Sequence, residues 1–155
     1  MEDQLDILIA WRFIAARDIL ITIDDFYRSL TAFRALLQRC KSLWTRFSYN
    51  DYELIRSDFE LEYPDHLDIR NAACHEVDYS AKPHNIAKNA TKEDVDIPGM
   101  MQVSAGSMLT SNLCGREIVY SGNGRTLKLL LTDDILVKLD GFLDRLLGCF
   151  LTDAQ

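Results

Sequence analysis

The sequence predicts a mainly α protein with a small antiparallel β insertion before its last helix. Apolar residues recur at helical spacing over residues 5–47. Four short β-prone runs lie between residues 100 and 131, and glycine-containing turns separate them. A final apolar stretch follows Thr132, a residue type that caps helices. We therefore expect an antiparallel bundle of four or five helices that carries a small sheet.

The first segment predicts one long helix, or two helices with a break near residues 21–24. The β-branched run at residues 21–23 lowers the helix propensity, and Asp24 or Asp25 can cap a restarted helix. The apolar stripe nevertheless runs through the whole segment; it comprises Leu8, Trp11, Ala15, Ile19, Thr22, Phe26, Leu30, Phe33 and Leu37.

Three further helices are predicted. The second covers residues 50–62, with Asn50 or Ser48 at its start and Pro64 as its stop. The third runs from Pro64, because proline is favoured at a first helical position, to about residue 79. The terminal helix covers residues 132–151; Thr132 caps it, and its apolar face contains Leu136, Leu139, Leu143, Leu146, Leu147 and Phe150.

The central region predicts a surface loop followed by one antiparallel sheet. Residues 82–98 are polar and lack a continuous apolar stripe, which is typical of a loop. The predicted strands cover residues 100–105, 108–113, 117–121 and 126–131. The run Gly122-Asn123-Gly124 predicts a hairpin turn rather than a phosphate-binding loop, because it lacks the lysine and hydroxyl of a P-loop.

Length and composition predict one domain in a cytoplasmic protein. A chain of 155 residues that is 48% hydrophobic suffices for one core. That domain, residues 1–155, divides into a helical part (1–79), a loop and β insertion (80–131) and the terminal helix. No apolar run reaches membrane-spanning length, and no secretory signal pattern is present. The cysteines form no CxxC pair, so we expect neither a zinc site nor a disulfide framework. We also expect no other metal and no cofactor.

The charge distribution restricts any nucleic-acid site to a local positive patch. The formal net charge of −7 argues against binding nucleic acid over the whole surface. The densest basic cluster is interleaved with Trp44 and Phe47, a pattern that favours contact with a nucleic-acid backbone; it consists of Arg34, Arg39, Lys41 and Arg46. The alternative is a solvated helix end, where cations complement the helix dipole.

Residues 70–75, which read RNAACH, are the strongest chemical signal in the chain. On a helix, Asn71 and His75 lie about 40° apart, while Arg70 lies about 140° from His75. Arg70 and His75 therefore flank one broad face. If a second subunit presented the same face across a two-fold axis, both pairs would surround a single groove.

This pattern resembles the signature of the HEPN superfamily, the higher eukaryote and prokaryote nucleotide-binding domains. Arg70, Asn71 and His75 occupy its three characteristic positions. An amphipathic segment containing residues 11–18 precedes them, and a terminal helix ending near Phe150 follows. The resemblance implies a HEPN-like bundle, a homodimer and, in the active members of the superfamily, cleavage of RNA. It also implies a toxin or defence effector, with an inhibitory antitoxin as a partner.

The chemistry that this motif fits is attack by the RNA's own 2′-hydroxyl. That reaction needs a base, an acid and positive charge at the phosphate. The His75 side chains of two subunits would supply the base and the acid, and Arg70 would hold the phosphate. Asn71 would orient His75 or bind the phosphate, and the alternative is that it only supports packing. The alternative is a noncatalytic dimerisation or partner-binding module, in which Arg70 and His75 only join subunits.

Overall fold

The computed structural model describes residues 2–75, 81–97, 101–110 and 112–150. It confirms a mostly helical chain with small antiparallel sheets before the last helix. The described helices are α1 (Glu2–Leu37), α2 (Lys41–Trp44), α3 (Tyr49–Glu62), α4 (His66–Cys74), α5 (Pro83–Asn89) and α6 (Ile135–Gly148). The described strands are β1 (Val95–Ile97), β2 (Met101–Val103), β3 (Asn112–Cys114), β4 (Glu117–Gly122) and β5 (Arg125–Leu130).

The chain divides into two compact units. The first contains Met1–Ile21 and Asp65–Thr132, and the second contains Thr22–Pro64 and Asp133–Gln155. The single domain expected from composition stays a prediction. No helix in the described ranges is both long and apolar enough to cross a membrane.

Helix α1 is continuous through the segment where a break was one alternative. Its 36 residues end at Leu37, so the expectation of helix as far as residue 47 is wrong. Ile23 and Asp24 are buried, and the Arg28 Nε donates to Asp24 Oδ2 at 2.6 Å. Burial and this i, i+4 ion pair offset the low propensity of the β-branched run. Beyond Leu37, Cys40 leaves the helical conformation, and α2 forms separately.

The second unit has an aromatic core built on α3. Ser48 caps this helix, because its Oγ accepts from the Asp51 N–H at 3.5 Å. Tyr52 and Phe59 are fully buried. The Phe59 ring stacks on Phe26, with centroids 5.5 Å apart, and meets Phe142 edge-on at 5.3 Å.

Helix α6 begins later than the sequence predicts. Its first residue is Ile135, and Asp134 occupies the N-cap position without a side-chain capping bond, so Thr132 is not the cap. Only part of the predicted apolar face is covered. Leu139 and Leu146 are buried, whereas the other leucines of that face are exposed: Leu136, Leu143 and Leu147. The helix ends at Gly148 with Cys149 as its C-cap, so the predicted end at residue 151 is wrong.

The central region is more structured than predicted. The expected loop contains α5, whose first residue is Pro83, and strand β1. Proline pre-sets the backbone for a first helical turn, which explains a helix without a continuous apolar stripe. Asn89, at the end of α5, is buried.

The strands form two sheets rather than the predicted one. β1 and β2 pair antiparallel, and β3, β4 and β5 form a second antiparallel sheet. The predicted run at residues 108–113 enters a sheet only at Asn112, and its residue 111 lies outside the described ranges, as does residue 100 of the first run. The hairpin turn is confirmed: Asn123 and Gly124 have φ values of 53° and 77°, as a type I′ turn requires.

Helix α4 is shorter than predicted and packs on the three-stranded sheet. Pro64 lies outside it, because the first helical residue is His66. The helix ends at Cys74 with His75 as its C-cap, and the predicted continuation to residue 79 lies outside the described residues. Three α4 side chains join a buried cluster with α1, β4 and β5; its members are Ala16, Leu20, Ile69, Ala72, Ala73, Ile118, Tyr120 and Leu127.

We predict that Ile69→Ala destabilises the protein by about 2–5 kcal/mol, because it empties a fully buried site. The matched control is Leu67→Ala on the same helix, where the leucine is 46% exposed. We expect that control to cost less than about 1 kcal/mol. Urea unfolding of both variants measures the difference, and equal losses would contradict this packing of α4.

Candidate functional site

The motif residues occupy the side of α4 that faces away from the core. Ile69, Ala72 and Ala73 are buried. At about 100° per residue, Arg70, Asn71 and His75 each lie on a different side of the helix from this buried set. Arg70 and Asn71 are half-buried, and His75 is exposed at the helix end. The first unit thus brings the three predicted catalytic residues together on one short helix.

Asn71 contacts both of the other motif residues. Its side-chain Oδ1 accepts from Arg70 Nη1 at 3.2 Å. Its backbone carbonyl accepts from the His75 N–H at 2.9 Å. The side chain therefore positions the guanidinium, while the backbone fixes the residue that carries the imidazole. Sequence reasoning expected an Asn71 contact with His75 or phosphate and missed the contact with Arg70.

A polar clamp holds the opposite end of α4 to the β4–β5 hairpin. Arg125 Nη2 donates to Asp65 Oδ1 at 3.2 Å and to Asp68 Oδ2 at 3.0 Å. Asn123 Nδ2 donates to the other Asp68 oxygen at 3.3 Å, and the Asn123 N–H donates to Asn89 Oδ1 at 3.2 Å. The clamp fixes the first turn of the helix that carries the motif. The sequence predicted the hairpin turn but not the clamp. The signal that could have indicated the clamp is the pair of acidic residues, Asp65 and Asp68, at the start of the predicted motif helix.

The predicted RNA-binding cluster belongs to the second unit. Arg34 is already engaged: its Nη1 lies 3.3 Å from Glu53 Oε1, and its guanidinium stands 4.9 Å from the Tyr49 ring centroid. Arg39, Lys41 and Arg46 are exposed, in the α1–α2 connection, on α2 and just after it.

Glu53 connects Arg34 to a larger charged network. Arg56 Nη2 lies 3.0 Å from Glu53 Oε2, so two guanidinium groups share this carboxylate. A hydrogen bond from Tyr49, helped by Arg56 and Arg34, lowers the pKa of Glu53 below its ordinary value, although burial opposes the shift. The same bond raises the pKa of Tyr49.

Metal-ligating side chains do not converge in the part of the chain that the structure describes. That part contains no group of three or more His, Cys, Asp or Glu able to hold an ion. The four cysteines are free thiols. Cys74, beside the motif histidine, is half-buried.

Comparison of the chain with protein-family models, with curated proteins and with solved structures finds no match. The resemblance to the HEPN superfamily therefore stays a prediction from residues 70–75. The site is defined by its own geometry: an exposed imidazole and an amide-anchored guanidinium at one end of α4.

The clamp predicts energetic coupling between Arg125 and Asp68. Because both side chains are partly exposed, we expect a coupling free energy of about 0.5–1 kcal/mol. A double-mutant cycle with Arg125→Met and Asp68→Asn, read by urea unfolding, measures it. Lys128→Met, an exposed cation on the same strand, is the control and should show no coupling to Asp68. A coupling near zero for Arg125 would contradict the clamp.

The lowered pKa of Glu53 predicts a loss of stability in acid. A carboxylate whose folded-state pKa is depressed stabilises the protein above its ordinary pKa, here 4.5, and loses that contribution as the pH falls below it. The stability difference between the wild type and Glu53→Gln should therefore be constant above about pH 6 and shrink below 4.5. Tyr49→Phe removes the strongest cause and should weaken this dependence. A pH-independent difference would contradict the assignment.

Proposed function

We propose that the chain is a metal-independent endoribonuclease with a composite active site formed by two copies. The observation that carries the proposal is the outward-facing set of Arg70, Asn71 and His75 on α4. These residue types supply a phosphate-binding cation, an anchoring amide and a group that can carry a proton. The HEPN-like bundle and a cytoplasmic location belong to the same proposal and rest on the resemblance.

The reaction is a transesterification that needs two proton transfers. The 2′-oxygen attacks the adjacent phosphorus, and its proton goes to a general base. The bond from phosphorus to the 5′-oxygen breaks, and a general acid protonates that oxygen. The products are a 2′,3′-cyclic phosphate and a free 5′-hydroxyl. Charge accumulates on the phosphate oxygens in the transition state, where a guanidinium stabilises it.

One motif supplies one histidine, so two copies are needed for one base and one acid. We assign these roles to His75 of the two subunits, with Arg70 from each side holding the phosphate. Asn71 acts as a positioning residue, since its Oδ1 accepts from Arg70 Nη1. An exposed position at the helix end leaves His75 accessible to an RNA strand.

The exposed basic residues of the second unit supply a secondary RNA contact in this proposal. Arg39, Lys41 and Arg46 are exposed cations in a chain of net charge −7. Arg34 contributes less, because Glu53 already neutralises it. A toxin or defence role, with an inhibitory protein partner, follows from the resemblance to the superfamily.

A second candidate is a noncatalytic dimerisation or partner-binding module. The observation that favours it is the exposure of large apolar side chains on the first turns of α1, including Leu8 and Trp11. Such surfaces commonly mark protein interfaces. In this alternative, Arg70 and His75 contribute to a subunit contact and no RNA is cleaved.

Cleavage of a mixed RNA by the purified protein in EDTA tests the proposal. We expect cleavage by the wild type, and at least a 100-fold lower rate for His75→Ala, because a general acid–base residue contributes about 10²–10⁴-fold. Arg70→Ala should also abolish most activity, and Arg70→Lys should restore little, since lysine lacks the planar bidentate geometry.

His84→Ala is the matched control, since His84 is an exposed histidine on a different helix, α5. It should cleave like the wild type, and circular dichroism should show an unchanged fold for every variant. Absence of cleavage by the wild type would favour the binding module. Cleavage that survives His75→Ala would assign the activity to other residues or to a contaminant.

A further inference from the structure

The N-terminal part of α1 is exposed on every side: each residue from 6 to 15 is exposed, and Ile9 and Phe13 are 43% and 37% exposed. The most exposed large apolar residues of this part cluster on one side. Ile7, Trp11 and Ile14 follow one another at i, i+4 and i+7, and we call this set the outer stripe. Their exposed fractions are 56%, 64% and 50%. Leu8 flanks the stripe and is 61% exposed. These values are high for large apolar side chains on a helix that already contributes to a core.

The outer stripe lies on the side of α1 opposite the core. Ala16 and Leu20 are the α1 residues of the cluster shared with α4 and the sheet. At about 100° per residue, Trp11 is about 140° from Ala16 and 180° from Leu20. Arg12, about 100° from Trp11, donates from Nη2 to the Gly115 carbonyl at 2.7 Å, which fixes the side of the helix that meets the β3–β4 turn. The sheet therefore cannot cover the stripe.

The stripe has the composition of an interface centre. None of its three residues is charged, and the next position on the same side of the helix is Asp18. Trp11 lies in the middle of the stripe, between two isoleucines. Charged residues are depleted at interface cores, whereas tryptophan is enriched among the residues that contribute most to binding. The spacing of four and then three residues is that of a seam between packed helices.

The exposed area matches what a symmetric helix pair needs. Four large side chains at half to two-thirds exposure present on the order of 500 Å² of apolar surface. This area is within the range of the largest exposed apolar patch on a typical monomer, about 300–600 Å². Pairing two such faces would bury about 1,000 Å² of apolar area and additional area from the flanking residues, which reaches the size of a specific interface.

We propose that the outer stripe packs against the outer stripe of a second copy of this chain, with Trp11 near the two-fold axis. A single helix face can serve both partners of an isologous contact. A membrane surface is a poorer occupant, because Asp6 and Asp18 flank the stripe and the chain carries a net charge of −7, which anionic lipid repels.

This contact is separate from the pairing that the composite ribonuclease site requires. That pairing needs the outward face of α4, and the outer stripe faces away from the core that α1 shares with α4. The inference therefore does not rest on the proposed chemistry. Two different isologous contacts per copy close into an assembly of four when their two-fold axes cross at right angles, and loss of the stripe then leaves two copies.

Light scattering coupled to size-exclusion chromatography tests the proposal. We expect the wild type to have at least twice the 17.8 kDa chain mass. Trp11→Glu should halve the wild-type mass at the same concentration. The matched control is Leu61→Glu, because Leu61 is a 77% exposed leucine on α3 outside the stripe, and it should leave the mass unchanged. A wild-type mass of one chain, or an unchanged mass for Trp11→Glu, would overturn the proposal.

A fluorescence measurement keeps the test independent of any folding defect in Trp11→Glu. The chain has two tryptophans, so Trp44→Phe leaves Trp11 as the sole reporter. If two stripes pair, Trp11 emission should shift to longer wavelength on dilution as the indole becomes solvated. Constant emission with a red maximum at every concentration, or a blue shift only with added vesicles, would overturn the proposal. Neither measurement depends on RNA cleavage. A failure of the ribonuclease proposal can therefore be distinguished from a failure of this one.

Discussion

The packing of α4 through Ile69, Ala72 and Ala73 is the constraint on which the candidate site depends. These residues join the buried cluster formed with α1 and the three-stranded sheet. The alanines have no side chain beyond Cβ, so the α4 backbone can lie close to its neighbours. Because they turn inward, Arg70, Asn71 and His75 turn outward, and Asn71 can accept the Arg70 guanidinium at 3.2 Å. The rotation of α4 about its axis thus determines both which residues enter the core and which side the Arg70, Asn71 and His75 side chains occupy.

A helix as short as α4 needs support at its ends, because isolated helices of nine residues are unstable in water. The β4–β5 hairpin supplies that support at the first turn, through Arg125 and Asn123 on Asp68. The turn itself depends on local backbone conformation, because Asn123 and Gly124 adopt the positive φ values of a type I′ turn. This turn fixes the strand register, and the Asn123 and Arg125 side chains reach Asp68 of α4. The β insertion therefore positions the motif helix, besides any other role it has.

The sequence predicted those elements whose signal is local. Ser48 as a helix cap, the hairpin turn and the mainly helical class with late strands follow from capping and turn chemistry. Contacts distant in sequence decided the rest. Helix α5 lacks an amphipathic stripe, Pro64 precedes α4 rather than starting it, and the strands separate into two sheets. At the site, the motif was visible from residue spacing, but the Arg125 clamp joins residues 57 positions apart and has no local pattern.

The central claim is that the outward face of α4 binds an RNA phosphate without metal. The most direct measurement is a side-chain NMR titration in EDTA, with a short RNA whose scissile 2′-hydroxyl is replaced by hydrogen so that it binds without cleavage. The account predicts saturable shifts of the His75 imidazole and Arg70 guanidinium resonances at the same RNA concentration, with the exposed His84 unchanged. Saturation elsewhere on the protein, with His75 and Arg70 unaffected, would contradict the account.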